Sequence, residues 1–237
     1  MIIARRFRGP PQSGNGGYSC GMTARELAGP CEVTLRAPPP LDRELSVAQR
    51  GPGVVVRDGE AVIAEAAPAE VAIEVPAPVT LAQAEEASKR YPWFDTHPFP
   101  ECFVCGHKRA QGDGLRILPG AVEGRQVAAA PFTIDASICG ADGLLRPEVV
   151  WAALDCPSWY GMLCFHPWEG QALLGRLAVR IIARPRASDR CVCMGWFLGQ
   201  EGRKIHAGSA IHSASGELFA FAKATWIRLK PEAPADH

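Results

Sequence analysis

The sequence has no apolar run approaching the roughly 20 residues that a membrane-spanning helix needs. It also has no net charge, since 25 basic side chains balance 25 acidic ones, and therefore lacks the basic surface typical of nucleic-acid-binding proteins. The start, MIIARRFRGPP, has too short an apolar stretch for a secretory signal peptide. We therefore expect a cytoplasmic protein with neither a membrane nor a nucleic acid as partner.

Several motifs of common enzyme classes are also missing. The chain contains no GxGxxG, no Walker A sequence, no G-x-S-x-G elbow and no HExxH. The sequence therefore gives no support for four classes of enzyme: dinucleotide-dependent enzymes, P-loop NTPases, serine hydrolases of the elbow type and zinc proteases. Nothing in the sequence indicates a cofactor.

Cysteines are present in an odd number, nine, and most of them lie inside apolar runs. That pattern is typical of reduced, buried thiols rather than of a disulfide framework. One pair has metal-ligand spacing, Cys102 and Cys105, with His107 close by. A structural zinc site usually takes four ligands, and the chain has only one such pair, so any further ligand would have to come from a distant segment. The sequence thus favours a tight turn here and predicts no metal.

The order of predicted elements occurs twice. A Gly-rich loop leads into a helix that ends at Gly29, and strands follow, with Asp58-Gly59 as a hairpin turn. Thr80 and Gln83 form a capping-box pattern that predicts a helix over 81–90. A second helix beginning near Pro147 is again followed by strands, four in number. Residues 2–8 and the stretch GLRIL also have strand-like patterns.

The second half of the chain resembles the hotdog-fold thioesterases of the PaaI type. The match covers roughly residues 114–228 and consists of GLRILPGAVEGRQVAAA, then RPEVVWAALDCPSWYG, then GRKIHAGSAIHSASGELFAFAKATWI. The resemblance implies an α+β double hotdog, in which two antiparallel sheets each wrap a central helix to form a pseudo-dimer. It divides the chain into a shortened hotdog (1–75), a Pro/Gly-rich connector with one helix (76–113) and a second hotdog (114–237).

The resemblance also assigns a site. The helix motif of that family, H-G-G followed by an aspartate, maps onto Asn15-Gly16-Gly17 in half one and onto Arg146-Pro147-Glu148 in half two, 131 residues apart. The aspartate position holds Ala24 in half one and Asp155 in half two, again 131 residues apart. The first half thus retains the glycines of the motif, and the second half retains its aspartate. One complete site would combine Asp155, as general base or nucleophile, with the amides of Gly17 and Tyr18, which would polarise the thioester carbonyl.

Further residues are expected to bind the substrate rather than to react with it. They are Asn15, Gly16, Trp151 and Trp159 around the acyl group and Arg203, Lys204 and His206 for the phosphates of coenzyme A. The predicted function is hydrolysis of acyl-CoA or acyl-carrier-protein thioesters by a homodimer of chains. The alternatives are a non-catalytic acyl-thioester binding protein, because Asn15 replaces the histidine of the family, and a hotdog dehydratase, which would need a histidine on a central helix. Besides general base and nucleophile, the residues leave a third interpretation of Asp155: it is a buried carboxylate that only supports packing.

Overall fold

The computed structural model describes residues 1–229, so the last eight positions of the predicted second hotdog lie outside the described residues. Three α-helices occur in this range: α1 (Gly16–Ala24), α2 (Leu81–Ser88) and α3 (Pro147–Leu163). Two short 3-10 helices cover Arg5–Phe7 and Ala136–Ile138. Among these residues, no helix has the length and the apolar character needed to cross a membrane.

Local sequence explains where the helices begin. The Asn15 side chain caps α1 by accepting a hydrogen bond from the Tyr18 N–H. Thr80 and Gln83 form the predicted capping box at the start of α2. Pro147 occupies the first turn of α3, where a missing N–H costs nothing because that group would have no partner inside the helix. Pro157 lies within α3, which nevertheless runs as one helix to Leu163.

Ten strands make up the rest of the regular structure. Their bounds are β1 (Cys31–Leu35), β2 (Ser46–Arg50), β3 (Gly53–Asp58), β4 (Ala61–Pro68), β5 (Gly120–Ala121), β6 (Ala128–Thr133), β7 (Ala172–Ile181), β8 (Arg190–Glu201), β9 (Lys204–Ser213) and β10 (Leu218–Arg228). The hairpin predicted at Asp58-Gly59 joins β3 to β4, and Gly59 has the positive φ of 56° that such a turn requires.

The strands form one sheet, in the order β2-β3-β4-β1-β7-β10-β9-β8-β6-β5, and every neighbouring pair is antiparallel. The two antiparallel sheets expected from the resemblance are thus joined edge to edge in one continuous sheet. Strand β1 of the first half pairs directly with β7 of the second, for example Val33 with Leu177. Pairing of this kind satisfies backbone groups that two separate sheets would leave exposed along their edges.

The helices cover both faces of this sheet. Helix α3 packs against β6 to β10, and α1 packs against α3 and the strands of the first half. Helix α2 lies on the opposite face, where Ala84 and Ala87 belong to a second apolar cluster with Val192 and Met194 of β8. Because successive residues of a strand point to opposite faces, this double cover explains why β8 is buried continuously from Cys191 to Trp196.

Some sequence-based boundaries are wrong. Residues 2–8 form two isolated bridges, at Ile2 and Arg8, and a 3-10 turn instead of a strand, and 114–118 contains no regular strand. Helix α1 ends at Ala24, five residues before the predicted Gly29. These short segments are fixed by contacts with other parts of the chain, which local periodicity does not encode.

Candidate active site

The site lies where the N-terminus of α1 meets the middle of α3. The Asp155 side chain accepts two hydrogen bonds on Oδ2, from Asn15 Nδ2 at 2.8 Å and from the Gly17 N–H at 2.8 Å. Helices α1 and α3 approach closely at this point, since a Cβ on Gly17 would lie 2.5 Å from Asp155 Cβ and 2.7 Å from the Trp151 carbonyl oxygen. Asn15 and Asp155, 140 residues apart in the chain, thus become direct partners.

Asp155 is almost completely buried, with 2% of its surface exposed. Burial raises the pKa of its carboxyl to about 7, although the Gly17 amide and the Asn15 side chain, which bind the charged form, oppose the rise. The second carboxyl oxygen, Oδ1, has no hydrogen-bond partner among the described residues. A buried carboxylate with one oxygen fixed and the other unengaged is oriented for chemistry at that free oxygen.

A pocket of about 540 Å³ opens beside this carboxyl group. Its walls come from the start of α1, the connector, α3, and strands β7 and β10. Aromatic rings form much of the apolar wall; Trp159, for example, lies 5.1 Å from both Trp168 and Trp226 between ring centroids. A largely apolar pocket with a few converging polar groups is the usual form of a small-molecule site.

Two amides expected at a thioester carbonyl are already engaged in this structure. The Gly17 N–H donates to Asp155, and the Tyr18 N–H donates to Asn15 Oδ1 at 2.9 Å. A role for either amide at a substrate would require its present partner to release it. The Gly16 N–H, the first of α1, donates no hydrogen bond within the part of the chain that is described, and Gly16 lines the pocket.

The other predicted acyl-site residues divide into two groups. Asn15, Gly16 and Trp159 line the pocket. Tyr18 does not; its ring stacks on Phe7 with centroids 3.9 Å apart. Trp151 does not line it either, and instead lines a second cavity beside the first turns of α3.

The predicted phosphate-binding residues lie away from the pocket walls. Arg203 and Lys204 are exposed at the turn between β8 and β9, and the Arg203 guanidinium donates to the Arg228 carbonyl oxygen at 3.3 Å. Arg228 itself packs over the ring of Trp168, which is part of the pocket wall. His206 contacts Thr225 at 3.3 Å. The basic pair is therefore connected to the edge of the pocket through Arg228.

The second cavity, of about 800 Å³, brings together the positions that the sequence predicts to form the incomplete site. Its walls include Arg146, Pro147 and Glu148 at the start of α3 and Ala24 at the end of α1. Glu148 is buried and lies 3.7 Å from the Arg146 guanidinium. No carboxylate occupies the position equivalent to Asp155, because that position is Ala24.

The sequence did not predict that three cysteines meet at the pocket. Cys102, Cys105 and Cys156 are all buried there, and their sulfur atoms lie within 4.8 Å of one another. Hydrogen bonds from Cys105 and Cys156 lower the pKa of Cys102, while its own two donors remain thiols with raised pKa values. The C-x-x-C spacing was the available signal for two of them, but no local pattern joins Cys156 to the pair.

Comparison with known proteins places this geometry in a known fold. No protein-family model and no curated protein sequence matches the chain. Among solved structures, a thioesterase candidate from Novosphingobium aromaticivorans matches 97% of this chain and 94% of its own, with a TM-score of 0.59 and 11% identity. The tesB protein of Mycobacterium avium subspecies paratuberculosis matches 94% of this chain and 90% of its own, with a TM-score of 0.55 and 16% identity. The chain has the fold of these two proteins. The resemblance predicted from the sequence is thus confirmed at the level of the fold, over nearly the whole length.

Asn15 both caps α1 and donates a hydrogen bond to Asp155, so Asn15→Ala should affect the helix and the carboxylate. We expect a loss of about 1–2 kcal/mol in the free energy of unfolding, because the cap of α1 disappears. Hydrolytic activity should fall as well, because Asp155 loses one of its two donors. Thermal unfolding and acyl-thioester hydrolysis measure the two effects.

Thr80→Ala is the matched control for that variant. It also removes an N-cap, but from α2, on the far face of the sheet. It should lower stability by a similar amount and leave hydrolysis unchanged. Equal losses of activity in the two variants would mean that Asn15 acts only through stability.

Proposed function

We propose that the chain hydrolyses acyl thioesters carried by coenzyme A or an acyl carrier protein, at a single site between α1 and α3. The observation that carries this proposal is Asp155, a buried carboxyl held by Asn15 and Gly17 with its second oxygen unengaged beside the pocket. The two solved structures that match 94% and 97% of the chain, one of them a thioesterase candidate, add support through their shared fold, although a fold by itself does not establish an activity.

The chemistry needs a group that acts on the acyl carbon and a donor for the oxygen that becomes negative. Asp155 supplies the first, either by taking a proton from water or by attacking the carbon itself. We assign the second to the Gly16 N–H, which lies at the positive end of the α1 dipole. The aromatic wall around Trp159 excludes water and strengthens electrostatic interactions in the pocket.

A single working site follows from how the two halves differ. Read outward from the β1–β7 pair, the strand order 1-4-3-2 of the first half matches the order 7-10-9-8 of the second, as a duplicated hotdog unit would. Asn15 and Arg146, placed in register by the sequence, are the N-caps of α1 and α3. The second cavity, however, has Pro147 in place of an amide donor and Ala24 in place of an acid. We therefore assign no hydrolysis to it.

The test is a panel of acyl-CoA thioesters with short, long, branched and aromatic acyl groups, followed by chromatography. Chromatography avoids thiol dyes, with which the chain's own cysteines would react. Turnover of one class by the wild-type chain supports the proposal. Absence of turnover on every substrate, together with a rise in unfolding temperature on adding CoA, would favour the binding protein that the unusual Asn15 also suggests.

The nature of the carrier can be tested at the exposed basic pair. Replacing Arg203 and Lys204 by alanine should raise the KM for acyl-CoA by roughly three- to tenfold, since exposed charges contribute modestly to phosphate binding. The KM for the matching acyl-pantetheine, which lacks the nucleotide phosphates, should not change. Lys223→Ala, an exposed lysine on β10, is the control. Equal effects on both substrates would exclude phosphate recognition by this pair.

A further inference from the structure

Three cysteines from two distant segments converge next to the pocket. Cys102 and Cys105 belong to the connector, and Cys156 follows Asp155 on α3. The sulfur atoms of Cys102 and Cys156 are 3.9 Å apart, and all three sulfurs lie within 4.8 Å of one another. Within residues 1–229, this is the one group of three or more cysteine, histidine or acidic side chains whose ligand atoms come that close.

The spacing is that of metal ligands. A tetrahedral zinc with bonds of about 2.3 Å to sulfur places neighbouring sulfurs about 3.8 Å apart. A disulfide would require a separation of about 2.05 Å, far shorter than the one found between Cys102 and Cys156. The three cysteines are held in the protein interior, since the exposed fraction of each is 7% or less.

The turn that carries the first two cysteines is tightly built. The Gly106 N–H donates to the Cys102 carbonyl oxygen at 2.9 Å, and a Cβ on Gly106 would lie 2.3 Å from that same oxygen. Only glycine fits this position. The turn fixes the direction of both thiols toward α3, where Cys156 completes the group.

Two neighbouring side chains are placed to stabilise thiolates. The Phe99 N–H donates to His97 Nδ1 at 2.9 Å, so the imidazole proton resides on Nε2, which lies 3.2 Å from Cys105 Sγ. Asn15 Nδ2 lies 3.8 Å from Cys102 Sγ. Donors of this kind around coordinating sulfurs are the usual outer shell of a metal site.

We propose that Cys102, Cys105 and Cys156 bind one zinc ion, whose fourth position faces the pocket. All three cysteines line that pocket, so the fourth ligand comes from solvent or from a molecule bound there. Zinc suits this set because it accepts thiolate ligands in a tetrahedral arrangement. His97 acts as a donor to Cys105 rather than as a ligand, because its Nε2 carries the proton.

The ion would fasten the connector to α3 immediately beside Asp155. Cys156 is the next residue in the helix. The Asn15 side chain lies beside both Cys102 and the Asp155 carboxylate. The pocket wall formed by the connector would then be fixed relative to the reacting group. The proposal stands on the cysteine geometry alone and does not depend on thioester hydrolysis.

The first test is the metal content of the intact wild-type chain, purified under reducing conditions from zinc-supplemented medium. Elemental analysis should give about one zinc per chain after exhaustive dialysis, and X-ray absorption at the zinc edge should show three sulfur neighbours. Exchange for cobalt should produce a thiolate-to-cobalt charge-transfer band. A dialysed wild-type chain that holds no zinc, and takes up neither ion when folded and reduced, overturns the proposal.

Variants then locate the ion. Cys102→Ser, Cys105→Ser and Cys156→Ser should each lose zinc and weaken the charge-transfer band. Cys193→Ser, a buried thiol on β8 outside the group, should keep both, and it controls for the cost of placing a hydroxyl in the core. Zinc retained in full by all three ligand variants, or lost equally in Cys193→Ser, would contradict the assignment. Since wild-type metal content needs no variant, the proposal stays testable even if a ligand variant does not fold.

Discussion

Asp155→Asn should lower the rate of acyl-thioester hydrolysis by about two to four orders of magnitude, the range typical of losing a general acid or base. Asparagine has nearly the same shape, and its amide oxygen can still accept the hydrogen bonds that Asn15 and Gly17 donate to Asp155. The fold should therefore persist. What disappears is the oxygen that takes a proton or attacks the acyl carbon.

The control for this variant is the other buried acid of α3. Glu148→Gln changes a carboxylate that lines the second cavity, where no hydrolysis is assigned, and it should leave turnover unchanged. Both variants should unfold within a few degrees of the wild type. Wild-type rates in Asp155→Asn would contradict the catalytic role of Asp155. The interpretation of Asp155 as a carboxylate that only supports packing would then replace it.

If Asp155→Asn is inactive, single turnover in ¹⁸O-labelled water tests the wild type for a nucleophilic role of this residue. A general base delivers the labelled oxygen to the acid product in the first turnover. A nucleophile forms an acyl-aspartyl anhydride, and water that attacks the aspartyl carbon leaves the label on the protein. Mass spectrometry of the protein after one turnover detects the second case.

Gly195→Ala should have the largest effect on stability of any single methyl addition near the site. Gly195 lies on β8 directly beneath α3, and a Cβ there would fall 1.8 Å from the Pro157 carbonyl oxygen and 2.4 Å from its carbonyl carbon. Both obstacles are backbone atoms, so no side-chain rotation can relieve the overlap. Helix α3 would have to move away from the sheet.

Two opposing effects decide the sign of that change. Replacing glycine by alanine inside a regular element gains roughly 0.5–1 kcal/mol, because the unfolded chain loses freedom. Overpacking in a well-packed core typically costs about 1–3 kcal/mol and more where backbone must shift. We expect a net loss of about 3 kcal/mol, which corresponds to roughly 10 °C in the unfolding temperature of a chain of this size.

Thermal and urea unfolding measure this loss, and Gly140→Ala is the comparison. A Cβ on Gly140 meets first the Asp142 carboxylate oxygen at 2.9 Å, which is the end of an exposed side chain that can move at the cost of its hydrogen bonds from the Leu144 N–H and Arg184. Its effect should stay within about 1 kcal/mol. Should Gly195→Ala unfold at the wild-type temperature, the close packing of α3 on β8 described above would be wrong.

The sequence by itself determined where two helices begin, one hairpin and the register between the two halves. Thr80 with Gln83 predicted the cap of α2, Pro147 the start of α3, and Asp58-Gly59 the hairpin, because caps and turns depend on residues three or four positions apart. The interval of 131 residues placed Asn15 opposite Arg146, and both are helix N-caps in the structure. Caps and turns of this kind depend on neighbouring residues and not on how the rest of the chain packs.

Only the tertiary structure decided which distant groups meet. Nothing in the periodicity of β1 and β7 indicates that these strands pair and merge two sheets into one, since period-two alternation sets the faces of a strand and not its neighbour. The Gly17 amide donates to Asp155 rather than to a ligand because α1 and α3 touch at a glycine. Cys156 joins Cys102 and Cys105 for the same reason: contacts across some 50 residues of chain arise from the packing of the connector on α3, which is fixed by the whole core and not by local sequence.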